Sequence, residues 1–191
     1  MSKELYKLNQ YIEMLIEWNE KINLVSYKSI TELLIDHIID SFSIMECYRF
    51  TEKIISDIGT GAGLPGIVLS ILYPSCQYVL IEPNKKYYRF LKKVIISLKL
   101  KNVELINRKV ESIDDPNSLK VVISRALGEI RLFLNMTVLK RTKVLIFYKG
   151  INCFKELHYL GLPDHKIMFI KKIKILEKYN KNHYIIALKK R

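Results

Sequence analysis

The chain has 191 residues, 49% of them hydrophobic, which suits one folded domain with an appendage and argues against disorder. Its 32 Lys and Arg against 19 Asp and Glu give a net charge of +13. A codon bias toward Lys would supply Glu as readily, so this excess points to a polyanionic partner, with nucleic acid ahead of a membrane surface. No apolar run reaches the length of about 20 residues that spans a bilayer. Met1-Ser2-Lys3-Glu4 leads into an amphipathic pattern without the apolar core of a signal peptide. Cys47, Cys76 and Cys153 are scattered and fit no CxxC pattern, so the expectation is the reducing cytoplasm, with neither a disulfide framework nor a zinc site.

In chain order, Leu5, Leu8, Ile12, Leu15, Ile16, Trp18, Ile22 and Leu24 recur near helical spacing over residues 2 to about 24. Asn23 and Ser26 break the pattern. A second helix is predicted from near Ser29, with Thr31 and Glu32 in its first turn, through Leu33, Leu34, Ile35, Ile38, Ile39, Phe42, Ile44 and Met45. These two helices form an N-terminal cap over residues 1–50. No Gly/Pro linker precedes Lys53, so the cap is expected to pack on the domain of residues 51–191. Lys53-Ile54-Ile55-Ser56 reads as a buried strand, Asp57 to Gly66 as a glycine-rich loop, and Ile67 to Leu72 as the first turns of a buried helix. Then follow a strand at Gln77–Glu82, a basic helix from Asn84 to Leu98, and strands at Val103–Ile106 and Val121–Ser124. A helix from about Leu127 to Leu139, a strand at Val144–Tyr148 and a helical stretch near Phe154 to Leu160 come next. Two late strands fit Ile167 to Leu176 and His183 to Leu188, with a turn around Tyr179-Asn180-Lys181-Asn182 between them. Short apolar strands alternating with helices predict a mostly parallel α/β sheet covered on both faces, with an antiparallel hairpin at one edge.

The stretch Asp57-Ile58-Gly59-Thr60-Gly61-Ala62-Gly63-Leu64-Pro65-Gly66 carries four glycines in eight residues at a strand-to-helix junction. Such glycines allow a sharp turn and a close approach of backbone to ligand, and the helix start behind them offers unpaired N–H groups. Gly61-x-Gly63-x-x-Gly66 satisfies the dinucleotide pattern GxGxxG, so a nicotinamide oxidoreductase has to be weighed. The overlapping pattern Asp57-x-Gly59-x-Gly61-x-Gly63 puts an acid where it can face the ammonium of an amino-acid moiety, a place where a pyrophosphate would be repelled. Glu82 is placed to accept hydrogen bonds from a ribose diol, which both cofactor classes offer. The absence of a separate substrate domain after the loop, and the terminal hairpin, favour the Rossmann-like sheet of an S-adenosylmethionine-dependent methyltransferase.

Several further segments resemble one family, the ribosomal RNA small-subunit methyltransferase G (GidB-type) proteins of bacteria. Glu17-Trp18-Asn19-Glu20-Lys21-Ile22-Asn23-Leu24 is similar to the end of that family's first helix, and His37-Ile38-Ile39-Asp40-Ser41 to its second-helix signature. Asp57 to Gly66 matches the cofactor loop with its Leu-Pro-Gly ending. Val122-Ile123-Ser124-Arg125-Ala126 matches the fourth-strand motif, and Lys149-Gly150 the end of the fifth strand. The resemblance covers nearly the whole chain. It implies methylation of N7 of a guanine in small-subunit (16S) ribosomal RNA by S-adenosylmethionine. It also implies that Gly59 and Leu64 line the cofactor, that Val110 and Glu111 flank the adenine, and that Arg125 closes the site beside the donor methyl. The implied partner is small-subunit rRNA or the 30S particle, and we expect a monomer that needs no metal. Two departures stand out: Leu119-Lys120-Val121 lacks an acid before the fourth strand, and Pro83 follows Glu82 at the helix start.

Guanine N7 already carries a lone pair, so its methylation is an in-line displacement that needs orientation more than a general base. The sequence has no paired-Cys motif for attack on a pyrimidine carbon and no Asn-Pro-Pro-Tyr or Asp-Pro-Pro-Tyr run. Arg125 is the expected catalytic residue, able to hold guanine O6 or a phosphate; its bland alternative is an ion pair with a sheet-end acid. Lys149 reads as a phosphate ligand or as a solvated strand-end lysine. His37 reads as a packing residue with one hydrogen bond, and Asp40 and Ser41 as helix-packing and hydrogen-bonding residues. Lys85, Lys86, Arg89, Lys92 and Lys93 interleave with aromatics and could hold RNA phosphates or form a solvated face, with Phe90 in the core. Lys171, Lys172, Lys174, Lys189, Lys190 and Arg191 form a similar cluster. Another RNA substrate, or an RNA-binding protein with a vestigial cofactor site, remain the alternatives.

Overall fold

In the computed structural model, residues 2–113, 119–125, 128–160 and 165–191 are described. β-branched runs form seven strands: β1 (Ile54–Ile58), β2 (Gln77–Ile81), β3 (Val103–Ile106), β4 (Val121–Arg125), β5 (Val144–Gly150), β6 (His165–Lys172) and β7 (His183–Lys190). They make one sheet in the order β3-β2-β1-β4-β5-β7-β6. The first five run parallel, and β7 pairs antiparallel with both β5 and β6. The expected edge hairpin is present, with the last strand inserted between β5 and β6. The stretch read as one strand from Ile167 to Leu176 is β6 followed by a short helix, α8 (Lys174–Glu177). Buried Ile173 and Leu176 turn the chain back onto the core there.

The first helix, α1 (Lys3–Ile22), is capped by the Ser2 hydroxyl and closed by Asn23 in a left-handed conformation. The Asn19 carboxamide oxygen accepts from the N–H groups of Leu24 and Val25 at 2.6 and 2.8 Å, which ends the helix and aims the following loop. Ser29 caps the second helical segment by accepting from Glu32 N–H at 3.1 Å. That segment runs as α2 (Ile30–Leu33), a π-helical stretch (Leu34–Ile39), α3 (Asp40–Phe42) and a 3-10 turn (Ser43–Glu46). The other helices are α4 (Gly66–Leu72), α5 (Lys85–Ser97), α6 (Ile130–Leu134) and α7 (Cys153–His158). The helix expected from Leu127 to Leu139 is shorter, with α6 followed by a separate 3-10 turn at Thr137–Arg141. Its expected start at Leu127, like Ala126, lies outside the described residues.

Strand alternation divides the core in two. Ile55, Leu80, Val121, Ile123, Ile146, Tyr148, Ile185 and Ala187 face the cap, together with Leu8, Tyr11 and Leu15 of α1 and Phe90 of α5. Ile58, Val79, Val122, Leu145, Phe147 and Ile186 face α6 and α7. Trp18 and Tyr11 ring-pack on Phe90 at 5.5 and 6.4 Å, so the cap shares a core with the sheet. All three cysteines are free thiols.

Candidate active site

The strand order reverses between β1 and β4, and in open α/β sheets the crevice outside the carboxyl ends at such a point is the usual ligand site. The residues singled out from the sequence gather along that edge. Gly59 to Gly66 follow β1, Glu82 follows β2, Val110 and Glu111 lie in a 3-10 turn (Val110–Ser112) after β3, and Arg125 ends β4.

Two acids brace the loop from below. β1 extends to Ile58, so Asp57 is a strand residue, and its side chain is fully buried. Asp57 Oδ2 accepts from Thr60 Oγ1 at 2.6 Å and from Gly66 N–H at 2.8 Å, while Oδ1 is buried without a hydrogen-bond partner among the described residues. Burial pushes the Asp57 carboxyl up to about 6, opposed by the Thr60 and Gly66 hydrogen bonds and the Arg125 charge. The carboxyl thus lies beneath the loop and ties Thr60 to Gly66. Glu82, also buried, accepts from Gly61 N–H at 2.9 Å through Oε2 and from Asn84 N–H at 2.8 Å through Oε1. Each oxygen keeps acceptor capacity for a hydroxyl. From above, the buried Tyr11 hydroxyl donates to the Ala62 carbonyl at 2.8 Å, so α1 also holds the loop.

Gly66 is required by packing. A Cβ there would stand 2.3 Å from Leu80 Cδ2 and 2.7 Å from Asp57 Oδ2. Gly61 is the opposite case: at φ +57° a Cβ would meet nothing within 4 Å, so the backbone borders open space. Gly59 and Gly63 also have positive φ. The Leu64 side chain is buried in the cap-side core and Val110 in the opposite core, so neither is free to line an opening with its side chain; Glu111 is exposed.

Arg125 is held by the cap. Its Nη1 donates to the Asp36 carbonyl at 2.9 Å and to Asp40 Oδ2 at 3.1 Å, and its Nη2 lies 3.2 Å from His37 Nδ1. The ion pair weighed as the bland alternative thus exists, with a cap acid as the partner. Asp40 Oδ1 also meets His183 Nδ1 at 2.9 Å, which raises the His183 pKa. Asp36 pairs with Lys181 at 2.8 Å, and the Tyr148 hydroxyl donates to the Ser41 carbonyl at 2.7 Å.

Lys149, expected at a phosphate, is on the other face. Its ammonium donates to the Gly128 carbonyl at 2.6 Å and to both Glu156 oxygens at 3.0 and 2.8 Å, which uses all three of its donors. On α5, Lys85 and Arg89 are exposed, whereas Lys86 donates to the Asn23 carbonyl at 3.0 Å and lies over the Tyr87 ring at 4.7 Å. Among the described residues no group of three His, Cys, Asp or Glu could hold a metal, and no helix is long and apolar enough to cross a membrane.

Tyr11, Thr60, Asn84 and His183 also hold this site, and no motif in the sequence marks them for it. Tyr11 had a signal, since Leu8, Tyr11 and Leu15 fall three and four apart on one face of α1. His183 had none, because its partner lies 143 residues earlier.

The family model of rRNA small subunit methyltransferase G matches residues 4–174. A relative of that name from Mycoplasma capricolum subsp. capricolum is 37% identical over 90% of this chain and 75% of its own length. Another, from Hydrogenovibrio crunogenus, is 40% identical over 69% of this chain and 60% of its own length, so the chain spans about three fifths of that relative. Among solved structures, a mutant of MtNAS in complex with S-adenosylmethionine has a TM-score of 0.59 at 16% identity, covering 98% of this chain and 76% of that one. An rRNA methylase from Streptococcus thermophilus has a TM-score of 0.52 at 16% identity, covering 87% and 99%. At these identities the structural likeness bears on the fold, which is the mostly parallel Rossmann-like sheet with an antiparallel edge described above. The sequence matches decide the family: the chain belongs to rRNA small subunit methyltransferase G.

Proposed function

We propose that this chain transfers the methyl group of S-adenosylmethionine to N7 of a guanine in small-subunit ribosomal RNA, acting in the cytoplasm as a monomer of a helical cap (1–50) and a methyltransferase domain (51–191). The observation that carries the reading is the crevice at the β1/β4 reversal: a glycine backbone open at Gly61, an acid at the end of β2 and a cation at the end of β4. These residues fit the cofactor. Gly61 leaves room for a close approach, and Glu82 retains acceptor capacity for a diol.

When bound, the cofactor supplies an electrophilic methyl on a sulfonium. Gly59, Gly61, Gly63 and the Leu64 backbone would hold it, Glu82 would take the ribose hydroxyls, and the Val110 backbone and Glu111 would flank the adenine. Asp57 acts from beneath as the strut that sets the loop. No side chain has to remove a proton, because N7 attacks with its lone pair and ends as a cation. What the protein supplies is alignment. Arg125 uses three of its five N–H donors on the cap, and no other described residue takes the remaining two, which serve guanine O6 or a neighbouring phosphate. Lys85, Lys86 and Arg89 on α5 would hold phosphates of the RNA, and replacing any one of them by Ala should reduce the salt slope of binding by about 0.7 to 0.9.

The test is transfer of labelled methyl from S-adenosylmethionine to small-subunit rRNA and to 30S particles lacking the modification, with Gly61→Asp and Arg125→Ala alongside. We expect labelled 7-methylguanine from the wild type, lost in both variants. Cofactor binding without transfer to either substrate would redirect the reading to another RNA. Absence of cofactor binding would leave an RNA-binding protein with a vestigial site.

A further inference from the structure

Asp36, His37 and Asp40, which meet Arg125, lie in the cap 89, 88 and 85 residues before it. We infer that His37 and Asp40 are positioning residues, a wall of acceptors that fixes the Arg125 guanidinium with its unspent donors toward the crevice, so that the cap is a working part of the transfer site. The inference rests on the reading of Arg125 given above.

Hydrogen-bond polarity sets the wall. The His37 Nε2 stands 3.0 Å from the Ser26 carbonyl, which can only accept, so Nε2 carries the proton. That leaves Nδ1 as a bare lone pair, and Nδ1 is the atom 3.2 Å from Arg125 Nη2, which can only donate. The opposite tautomer would break both hydrogen bonds at once. Burial lowers the His37 pKa and the Arg125 charge lowers it further, while the Ser26 bond and the charges of Asp36 and Asp40 raise it. Those two acids are themselves occupied, Asp36 by Lys181 and Asp40 by His183. The net shift keeps His37 neutral at pH 7 and able to accept.

Asp40 completes the wall. Its carboxylate is 4% exposed and divided in use, with Oδ2 for Arg125 and Oδ1 for His183. The third acceptor is a backbone carbonyl of the π-helical stretch Leu34–Ile39, a kind of distortion found often at functional sites. The wall takes both hydrogens of Nη1 and one of Nη2, and no other described residue takes Nε–H or the second Nη2–H. Protonating His37 would set an N–H against an N–H beside a permanent cation, and the hydrogen bond from Nη2 would break. Activity is therefore expected to fall on the acid side as pH drops through the His37 pKa, while His183, whose pKa Asp40 raises, stays charged there.

The experiment compares His37→Ala, His37→Asn and Asp40→Asn in full-length protein, since an Asn oxygen can stand near the position of Nδ1 and accept without titrating. For His37→Ala we expect kcat to drop about tenfold with RNA KM and cofactor Kd nearly unchanged, as for loss of a bond to a charged group. His37→Asn should restore most of kcat and flatten the acid limb, and Asp40→Asn should lower kcat. A merely structural role would lower stability and leave both the kcat split and the pH profile alone. An activity-independent arm records nitrogen NMR of labelled histidines: the wild type should show the Nε2–H tautomer of His37, and Arg125→Ala should raise its midpoint. Full kcat in His37→Ala, no recovery in folded His37→Asn, the Nδ1–H tautomer, or a midpoint indifferent to Arg125→Ala would each overturn the inference. If the wild type transfers no methyl to rRNA, the functional reading fails by itself, and the NMR arm still decides whether His37 and Arg125 are coupled.

Discussion

Arg125 and Lys149 end neighbouring parallel strands, and both are candidates from the sequence for contact with RNA. Arg125 stands in register with Tyr148, so Lys149 is the next residue along and points to the other face of the sheet. Both cations are largely withdrawn from solvent in ion pairs, with side chains 15% and 13% exposed. They differ in what is left over. An ammonium has three donors, and Lys149 gives all of them to Gly128 and Glu156, so it ties the loop after β4 to α7. A guanidinium has five, and Arg125 gives three to the cap. Two strand-end cations of similar burial thus have different capacities: one is a tie between elements, the other an anchored group with donors still to offer. Counting donors separates them where burial and charge do not.

Exchanging side chains on the two faces should sharpen that contrast. The largest effect is expected for Arg125→Ala, which leaves Asp40 buried with His183 as its ion partner among the described residues. Unfolding free energy should fall by about 3 kcal/mol in urea titration, and kcat by about 10²-fold or more in methyl-transfer assays. Arg125→Lys should restore part of the stability and little of the kcat, because an ammonium cannot reproduce the fork. On the far face, Lys149→Ala removes the partner of the half-buried Glu156 and should cost about 2 kcal/mol, yet the folded variant should keep its kcat and its salt dependence of RNA binding. A loss of salt slope in Lys149→Ala would place Lys149 at the RNA after all.

The cap-side face also predicts a pH effect. The Asp57 pKa is raised to about 6 in the folded protein against an unfolded value of about 4, so the native state binds the extra proton between those limits. This group's contribution to stability is fully present below about 4 and is lost as pH rises through about 6. Thermal unfolding of Asp57→Asn should show a flatter dependence on pH across that window than the wild type. The smallest change is Tyr11→Phe, which removes only the hydroxyl bond from α1 to the Ala62 carbonyl. It should cost about 1 kcal/mol and weaken cofactor binding measured by calorimetry, since the loop loses its upper tether.

Much of the fold was legible because it is written in consecutive residues. Ile54-Ile55, Val121-Val122-Ile123 and Val144-Leu145-Ile146-Phe147 carry their strand preference locally, and Ser29 with Glu32 marks a helix start three residues deep. The glycine loop was legible for the same reason: Gly66 approaches its neighbours too closely for a side chain, and no distant partner is needed to see that a Gly run after a strand turns into a helix. The side on which Lys149 falls could also have been read, since Tyr148 before it is core and side chains alternate.

What Arg125 meets could not be read in that way. Asp40 and His37 read as packing residues in the sequence, because a helix signature shows which positions face inward and says nothing of which distant cation arrives there. The insertion of β7 between β5 and β6 was equally silent, and it is what brings His183 to Asp40 and Lys181 to Asp36. The alternation of strands and helices, the cofactor-type loop and the family follow from the residues in order, because propensity, periodicity and glycine sterics act over a few residues. Which acid pairs with which base, which His37 nitrogen holds the proton and how many donors each strand-end cation spends depend on the folded arrangement. Hydrogen bonds and ion pairs depend on atom positions to within tenths of an ångström, and residues far apart in the chain acquire such positions only when the sheet and its cap close together.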